Sequence, residues 1–314
     1  MSELSILMPI KGYSEYLNIA IESILNQTYR NFELIIIDSS NVQVANFLRN
    51  YSDARIKYVY LKNLNISEAL NYGIEIAEGQ LIGRMDSDDI AVINKFEKQI
   101  HFFKNSQYDL IGTNFYAIDL NGKVMGEKIL PEYHDSIEYF MPIYSTILHP
   151  TILIKRKTLL EIGKYNVSYK VCEDNELFLR LFKNNFKAYN IQKPLYYYRL
   201  NSKSAEITKE MKRVFISLSL EYLKFKYRKN REDDYYDKYF RLGLLFYYNY
   251  KLTYAKRFLM HCISLRPSKI LVLSRFLIFI FFNPKILLFI RRYRISENIR
   301  YLFVRFCKKY YSGI

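Results

Sequence analysis

Residues 80 to 90 read QLIGRMDSDDI, an apolar run that ends in three carboxylates within four positions. The segment has the length and composition of a buried strand and then changes character abruptly, so its reading decides the fold. Working outward, LSILMPI (4–10) and FELIIIDSS (32–40) are similar runs rich in Ile and Leu, and RIKYVYL (55–61) is a further strand candidate. Continuous apolar runs of this length mark strands covered on both faces, as in parallel sheets. Between the first two, SEYLNIAIESILNQTY places Leu17, Ala20, Ile21, Ile24 and Leu25 on one helical stripe, with Ser14 as the expected N-cap. NISEALNYGIEIAEG reads as a second helix ending at Gly79. Strands alternating with helices predict a doubly wound α/β fold, a mostly parallel sheet flanked by helices. Ligands of such sheets sit beyond the carboxyl ends of the strands, where Asp38 and the 86–89 cluster both fall.

A chain of 314 residues, half of them hydrophobic, can bury a full core. Its net charge of +16 is not spread evenly: residues 1–204 hold 23 Lys/Arg against 23 Asp/Glu, and residues 205–314 hold 24 against 8. A neutral body followed by a basic part implies a segment facing something anionic. Cys172, Cys262 and Cys307 are odd in number, far apart and without a CxxC, which argues against a disulfide framework or a thiolate zinc site. The N-terminus MSELSILMPI lacks a basic n-region, so the expected location of the body is the cytoplasm. The run ILVLSRFLIFIFFNPKILLFI (270–290) is interrupted by Arg275, Asn283, Pro284 and Lys285 and falls short of the roughly 18 apolar residues of a spanning helix.

In the DSD stretch, Asp86 and Asp88 flank one residue at a strand end, so both side chains can converge on one side of a tight turn. Hard oxygen donors suit Mg²⁺ or Mn²⁺, which take one or two protein carboxylates and complete their shells with water and phosphate oxygens. An Asp-rich solvated turn or helix start is the competing reading of these residues taken alone.

Five segments in order bear a family likeness: SILMPI with YLNIAIESILNQTYRNFELIIID, SEALNYGIEIAEGQLIGRMDSDDI, HPTILIKRKTLLEIGKYN, CEDNELFLRL and YYYRLNSKSAE. Over residues 4–205 the chain resembles the family-two inverting nucleotide-sugar glycosyltransferases, which have the GT-A (Rossmann-like) fold. The resemblance implies that Asp38 contacts the nucleotide base and that Pro9 and Ile10 offer main-chain contacts to the nucleoside. Here the family's acidic pair and Gly-Ser are replaced by DSS, and Lys11 and Gly12 replace the more usual aromatic-Asn pair. It also implies that Asp86 and Asp88 form the DxD element, Asp88 being the direct ligand of Mn²⁺ or Mg²⁺, with Arg84 close to nucleotide or phosphate. Asp174 matches the catalytic base, Glu173 stands beside it on the acceptor side, and His149 lies near the acceptor or sugar pocket. Leu177, Phe178 and Leu181 are expected to turn inward and hold that base. Arg199 matches a phosphate contact in a closing segment, where Asn201 stands in the neighbourhood of the family's histidine. The implied reaction moves a hexosyl or N-acetylhexosaminyl unit from a UDP-sugar to a glycan or lipid-linked acceptor in cell-surface polysaccharide synthesis.

The expected organisation is a GT-A domain over 1–204 and a basic, Tyr-rich helical region over 205–314. Within the latter, Tyr239, Leu242, Gly243, Phe246, Ala255, Leu259 and Pro267 follow the spacing of one tetratricopeptide-like hairpin, about 235–269. Residues 270–310 mix apolar side chains with cations, which suits either a helix pair on the anionic inner membrane face or a buried terminal hairpin with a charged outer side. Two other classes remain open. Lys/Arg interleaved with 31 tyrosines could serve a nucleic-acid-binding protein, against which the neutral body and the lack of an RNP or GxxG motif speak, so no nucleic acid is expected. DSS at 38–40 could also mark a catalytically silent scaffold, against which the retention of Asp86, Asp88 and Asp174 speaks.

Overall fold

The computed structural model describes residues 2–41, 44–49, 51–200, 209–228, 232–248, 254–255 and 257–259. It divides into two compact units, Met1–Lys226 and Tyr227–Ile314, so the helix Lys209–Lys226 belongs with the N-terminal body.

The first unit begins as the alternating pattern predicts. Strands β1 (Leu4–Ile10), β2 (Phe32–Asp38), β3 (Ile56–Tyr60) and β4 (Leu81–Arg84) are parallel in the order β3-β2-β1-β4. Helices α1 (Leu17–Leu25), α2 (Ala45–Leu48) and α3 (Ile66–Ile76) connect them. The continuous apolar runs serve two cores. Leu4, Ile6, Met8, Leu34 and Ile36 pack with α1, whereas Leu7, Ile35 and Ile37 pack with Ala69, Leu70 and Ile74 of α3. The alternation follows from the two-residue period of a strand, and both faces are apolar because both are covered.

The second half of the sheet is mixed. β5 (Ile90–Ala91), α4 (Lys95–Lys104), β6 (Leu110–Ile118), β7 (Val124–Lys128), α5 (His134–Phe140), β8 (Leu153–Lys155), α6 (Arg156–Glu161), α7 (Glu173–Lys183) and β9 (Ala188–Arg199) complete it. The order continues β4-β8-β6-β9-β5, with β7 pairing antiparallel to the far end of β6, off this path. β8 runs antiparallel to both β4 and β6, so those two point the same way, and β9 is parallel to β6. Helix α8 (Lys209–Lys226) closes the unit, and its Tyr222 and Lys226 both hydrogen-bond Glu138 of α5.

Two local expectations are corrected. The N-cap of α1 is Tyr16, not Ser14; the chain enters through a tight turn in which Leu17 N donates to the Ser14 carbonyl, and the buried Ser14 hydroxyl has no partner among the described residues. Helix α3, opened by a capping box between Asn65 and Glu68, stops at Ile76 rather than at Gly79. Gly79 is needed for a different reason: its N–H donates to Ser5 Oγ at 2.9 Å, and a Cβ there would lie 2.5 Å from Ser5 N of β1. Gly79→Ala is therefore expected to cost about 2–3 kcal/mol, because backbone must move to admit one methyl. A urea midpoint equal to that of the wild type would show that β1 can yield.

In the second unit, α9 (Glu232–Tyr248) buries Phe240, Leu244 and Leu245. Tyr239 and Phe246 stack on Phe258, and Gly243 lies against Leu259, where a Cβ would approach Cγ to 2.7 Å. Residues 260–314, with the remainder of the expected hairpin and the whole of the expected interface pair, lie outside the described residues.

Candidate active site

The carboxyl ends of β1, β2, β4, β6 and β9 share one edge of the sheet, which brings Ile10, Asp38, Arg84, Ile118 and Arg199 to one side. The acidic turn leaves β4 there. Met85 N donates to Leu7 O at 3.1 Å and Asp86 N to the Tyr196 hydroxyl at 3.2 Å, so both ends of the turn are tied to strands. The buried Arg84 guanidinium pairs with Asp86 Oδ1 at 2.6 Å. Asp89, which the sequence reading left without a role, is buried; its Oδ1 accepts from Arg199 N at 2.7 Å, and the Tyr196 hydroxyl lies beside the carboxyl. Burial and then the Asp86 charge push the Asp88 carboxyl upward, and burial with Asp86 and Asp88 pushes Asp89 far above the ordinary carboxylate range. Asp88 and Asp89 thus resist ionising beside Asp86, a conflict that an added cation relieves.

Arg199 is held differently from a waiting phosphate ligand. Its Nε donates to the Asp88 carbonyl at 2.7 Å, its Nη1 donates to Asp119 O and Leu120 O at 3.1 and 2.9 Å, and its plane lies 4.1 Å from the Tyr16 ring centroid. It braces the acidic turn against the β6–β7 connection and the loop after β1. Asp38 is also turned inward. It is fully buried and accepts from Ser40 N (3.0 Å), Ser40 Oγ (2.6 Å), Val44 N (3.0 Å) and Tyr58 OH (2.7 Å). Burial raises its pKa, but these donors outweigh it and hold the carboxyl below its usual value. The Ile10 carbonyl accepts from Ser39 N and Oγ at 2.9 and 3.1 Å, and Pro9 pairs in register with Ile37.

Across the edge, Glu173 and Asp174 open α7, directly after Cys172 in the left-handed region at φ 60°. Asn175 donates its N–H and its side-chain amide to Asp174 Oδ1 at 2.8 and 2.9 Å. Leu177, Phe178 and Leu181 are buried beneath them, the stripe expected to fix the pair. Burial raises Asp174, and burial with the Asp174 charge takes Glu173 up to about 7. The Arg84 charge acts on Asp88, Glu173 and Asp174 alike, so one buried cation serves both acidic groups. His149, in the 3-10 turn His149–Thr151, shares a 2.7 Å hydrogen bond with the Tyr165 hydroxyl through Nε2. Burial, and then Arg84, keeps its pKa well below the usual value, so the imidazole is neutral at pH 7.

The sequence also matches the family described as Glycosyl transferase family 2 over residues 5–162, half of the chain. The chain belongs to this family. It is a glycosyltransferase whose relatives include the O-antigen biosynthesis glycosyltransferase WbnJ of Escherichia coli, 33% identical over 65% of this chain and 82% of that protein. Its fold is similar to that of S. aureus TarS 1-349, solved in complex with UDP-GlcNAc, with a TM-score of 0.57 and 17% identity over 79% of this chain and 81% of that one. Against the longer TarS chain the likeness spans 49% of its length.

Enzymes of the family commonly use divalent metals. Among the described residues no group of three His, Cys, Asp or Glu side chains is placed to hold a metal ion. A site that shares its ion with a diphosphate does not require three. The donor set here fits such an ion: hard carboxylate oxygens that repel one another.

Besides Asp89, sequence reading missed Tyr58, Tyr165, Tyr196 and Lys95. Lys95 has no exposed surface, and burial with the Arg84 charge takes its pKa down to about 7. One signal could have found it. Residues 95, 96, 99, 100 and 103 form the buried face of α4, and Lys95 and Gln99 are polar positions on that stripe.

Proposed function

We propose that the protein is a metal-dependent inverting glycosyltransferase that moves a hexosyl or N-acetylhexosaminyl unit from a UDP-sugar to a hydroxyl of a glycan or lipid-linked acceptor. The observation that carries the reading is the pairing, on one sheet edge around Arg84, of a self-repelling carboxylate turn with a raised Glu173–Asp174 pair. The named biosynthetic role of WbnJ supports a place in surface-polysaccharide synthesis, and the TarS complex with UDP-GlcNAc supports a UDP-linked donor.

In this mechanism Pro9, Ile10 and Asp38 form the nucleoside end of the site, Asp38 acting through the 39–44 loop it organises. Asp88 and Asp86 would hold Mn²⁺ or Mg²⁺, which supplies charge neutralisation to the leaving diphosphate. Arg84 adds a fixed positive charge at the same place, and Arg199 keeps the Asp88 backbone in position. Asp174 takes the proton of the acceptor hydroxyl as its oxygen bonds to the anomeric carbon. The bond from that carbon to the diphosphate oxygen breaks on the opposite side, the electron pair leaves with UDP, and the configuration inverts. Glu173 and the neutral His149 line the acceptor side.

Membrane placement is part of the proposal. The 24 Lys/Arg against 8 Asp/Glu of residues 205–314 suit peripheral attachment to an anionic inner membrane face, and no helix among the described residues is long and apolar enough to cross a membrane.

The test is calorimetric titration with UDP, GDP and CDP, in Mn²⁺ and then in EDTA. UDP is expected to bind in Mn²⁺ and to lose most of its affinity in EDTA. A folded protein that binds none of the three would overturn the donor-site reading in favour of a silent scaffold.

A further inference from the structure

Among the described residues Lys95 is the one lysine with no exposed surface, and it lies at the start of α4, beneath the acidic turn. Its ammonium donates to two carbonyls, Arg84 O at 3.2 Å and Pro150 O at 2.9 Å. Its other neighbours are aromatic: the Phe96 ring centroid lies 4.6 Å away and that of Tyr196 4.8 Å. Tyr196 in turn accepts the Asp86 N–H through its hydroxyl. One turn along the same helix face, Gln99 donates to Thr151 O at 2.8 Å and Ile111 O at 3.3 Å.

A charged group in a dry core is expensive, and a position on an apolar helix stripe is ordinarily filled by Leu or Met. The lysine is therefore best explained by what its donors hold. Arg84 O lies two residues before Asp86, at the point where β4 ends and ladder hydrogen bonds give out. Pro150 O belongs to the His149–Thr151 turn, which is also anchored by Gln99, by Thr113 N donating to Thr151 Oγ1 at 3.3 Å and by the His149–Tyr165 bond, and is followed at once by Ile152, whose carbonyl accepts from Arg84 N at 3.2 Å. The ammonium thus joins the root of the carboxylate turn to a rigid neighbour.

We propose that Lys95 is a positioning residue for the metal–diphosphate half of the site: through the Arg84 carbonyl it fixes the turn that presents Asp86 and Asp88. The inference rests on the donor-site reading above. It assigns Lys95 no contact with the substrate.

The experiment is calorimetric UDP titration of the wild type, Lys95→Met and Lys95→Arg, each in Mn²⁺ and in EDTA. Methionine keeps the volume and removes the donors; arginine restores donors and charge beneath the same rings. In Lys95→Met the gain in UDP affinity conferred by Mn²⁺ is expected to shrink about tenfold, the scale of one lost hydrogen bond, while affinity in EDTA stays within about twofold. Lys95→Arg is expected to recover most of the gain. General loosening of the fold would lower both affinities together. Gln99→Met cuts the companion tie without removing a charge and covers the case in which Lys95→Met does not fold; a roughly threefold loss confined to Mn²⁺ is expected. A folded Lys95→Met with the full Mn²⁺ gain, or with equal losses in Mn²⁺ and EDTA, overturns the inference alone. If Lys95→Met does not fold, the same two outcomes in Gln99→Met overturn it. A wild type with no Mn²⁺-dependent UDP affinity overturns the donor-site reading and the inference with it.

Discussion

Asp174→Asn is expected to reduce turnover by about 10³-fold or more, while UDP affinity in Mn²⁺ stays within about threefold of the wild type. The asparagine keeps size and can still accept from the Asn175 amides, so α7 retains its start. It cannot take a proton. In the proposed inverting reaction one base is needed, and the neutral His149 is engaged with Tyr165, so Glu173 is the only other carboxylate beside the acceptor among the groups assigned to the site. The pH profile separates this account from a structural one. In the proposed mechanism the raised Glu173–Asp174 pair must give up a proton before the base works, so turnover should rise with pH on a limb lying above the ordinary carboxylate range. Glu173→Gln should move that limb to lower pH, since Asp174 then ionises without a second carboxylate beside it. An unchanged limb, or equal loss of UDP binding and turnover in Asp174→Asn, would sink the assignment.

The second large effect is expected at Asp88. Asp88→Ala should lower UDP affinity in Mn²⁺ by about 100-fold, to the level seen in EDTA, because in the proposed site the ion would lose a principal ligand. Stability should respond in the opposite sense. The Asp88 carboxyl is raised by burial and by Asp86, so in metal-free protein it is a source of repulsion, and its removal also relieves Asp89. The backbone carbonyl that receives Arg199 is untouched by the change. The melting temperature in EDTA is therefore expected to equal or exceed that of the wild type, the usual sign of a residue kept for function at the expense of stability. A variant that melts lower in EDTA and binds UDP equally in both conditions would assign Asp88 to structure alone.

Much of this was legible in the chain. The strands at 4–10, 32–38 and 81–84 follow from apolar runs whose two faces meet different cores, and the α1 stripe of Leu17, Ala20, Ile21, Ile24 and Leu25 is buried as its spacing predicts. The placement of Asp38 and the acidic turn beyond strand ends follows from the same pattern. Local caps were less legible. Ser14 has a good capping side chain, yet the incoming turn gives that place to Tyr16, because the direction of entry is set by what the loop packs on. Gly79 looked like a helix stop and is instead a point of contact with β1.

The sequence by itself determined the family, the alternation of strands and helices over roughly the first 85 residues, and which carboxylates stand at strand ends there, because each depends on periodicity within a short window or on motifs in sequence. Only the tertiary structure decided what those groups do for one another. Arg199 meets Asp89 across 110 positions of chain, Lys95 meets Pro150 across 55, and Asp38 is closed off by Tyr58 of the neighbouring strand. Such pairings appear only when strands distant in sequence become neighbours in a sheet. Burial then converts a charged side chain from a solvated surface group into one whose every donor or acceptor must be met, or be left for a ligand to meet.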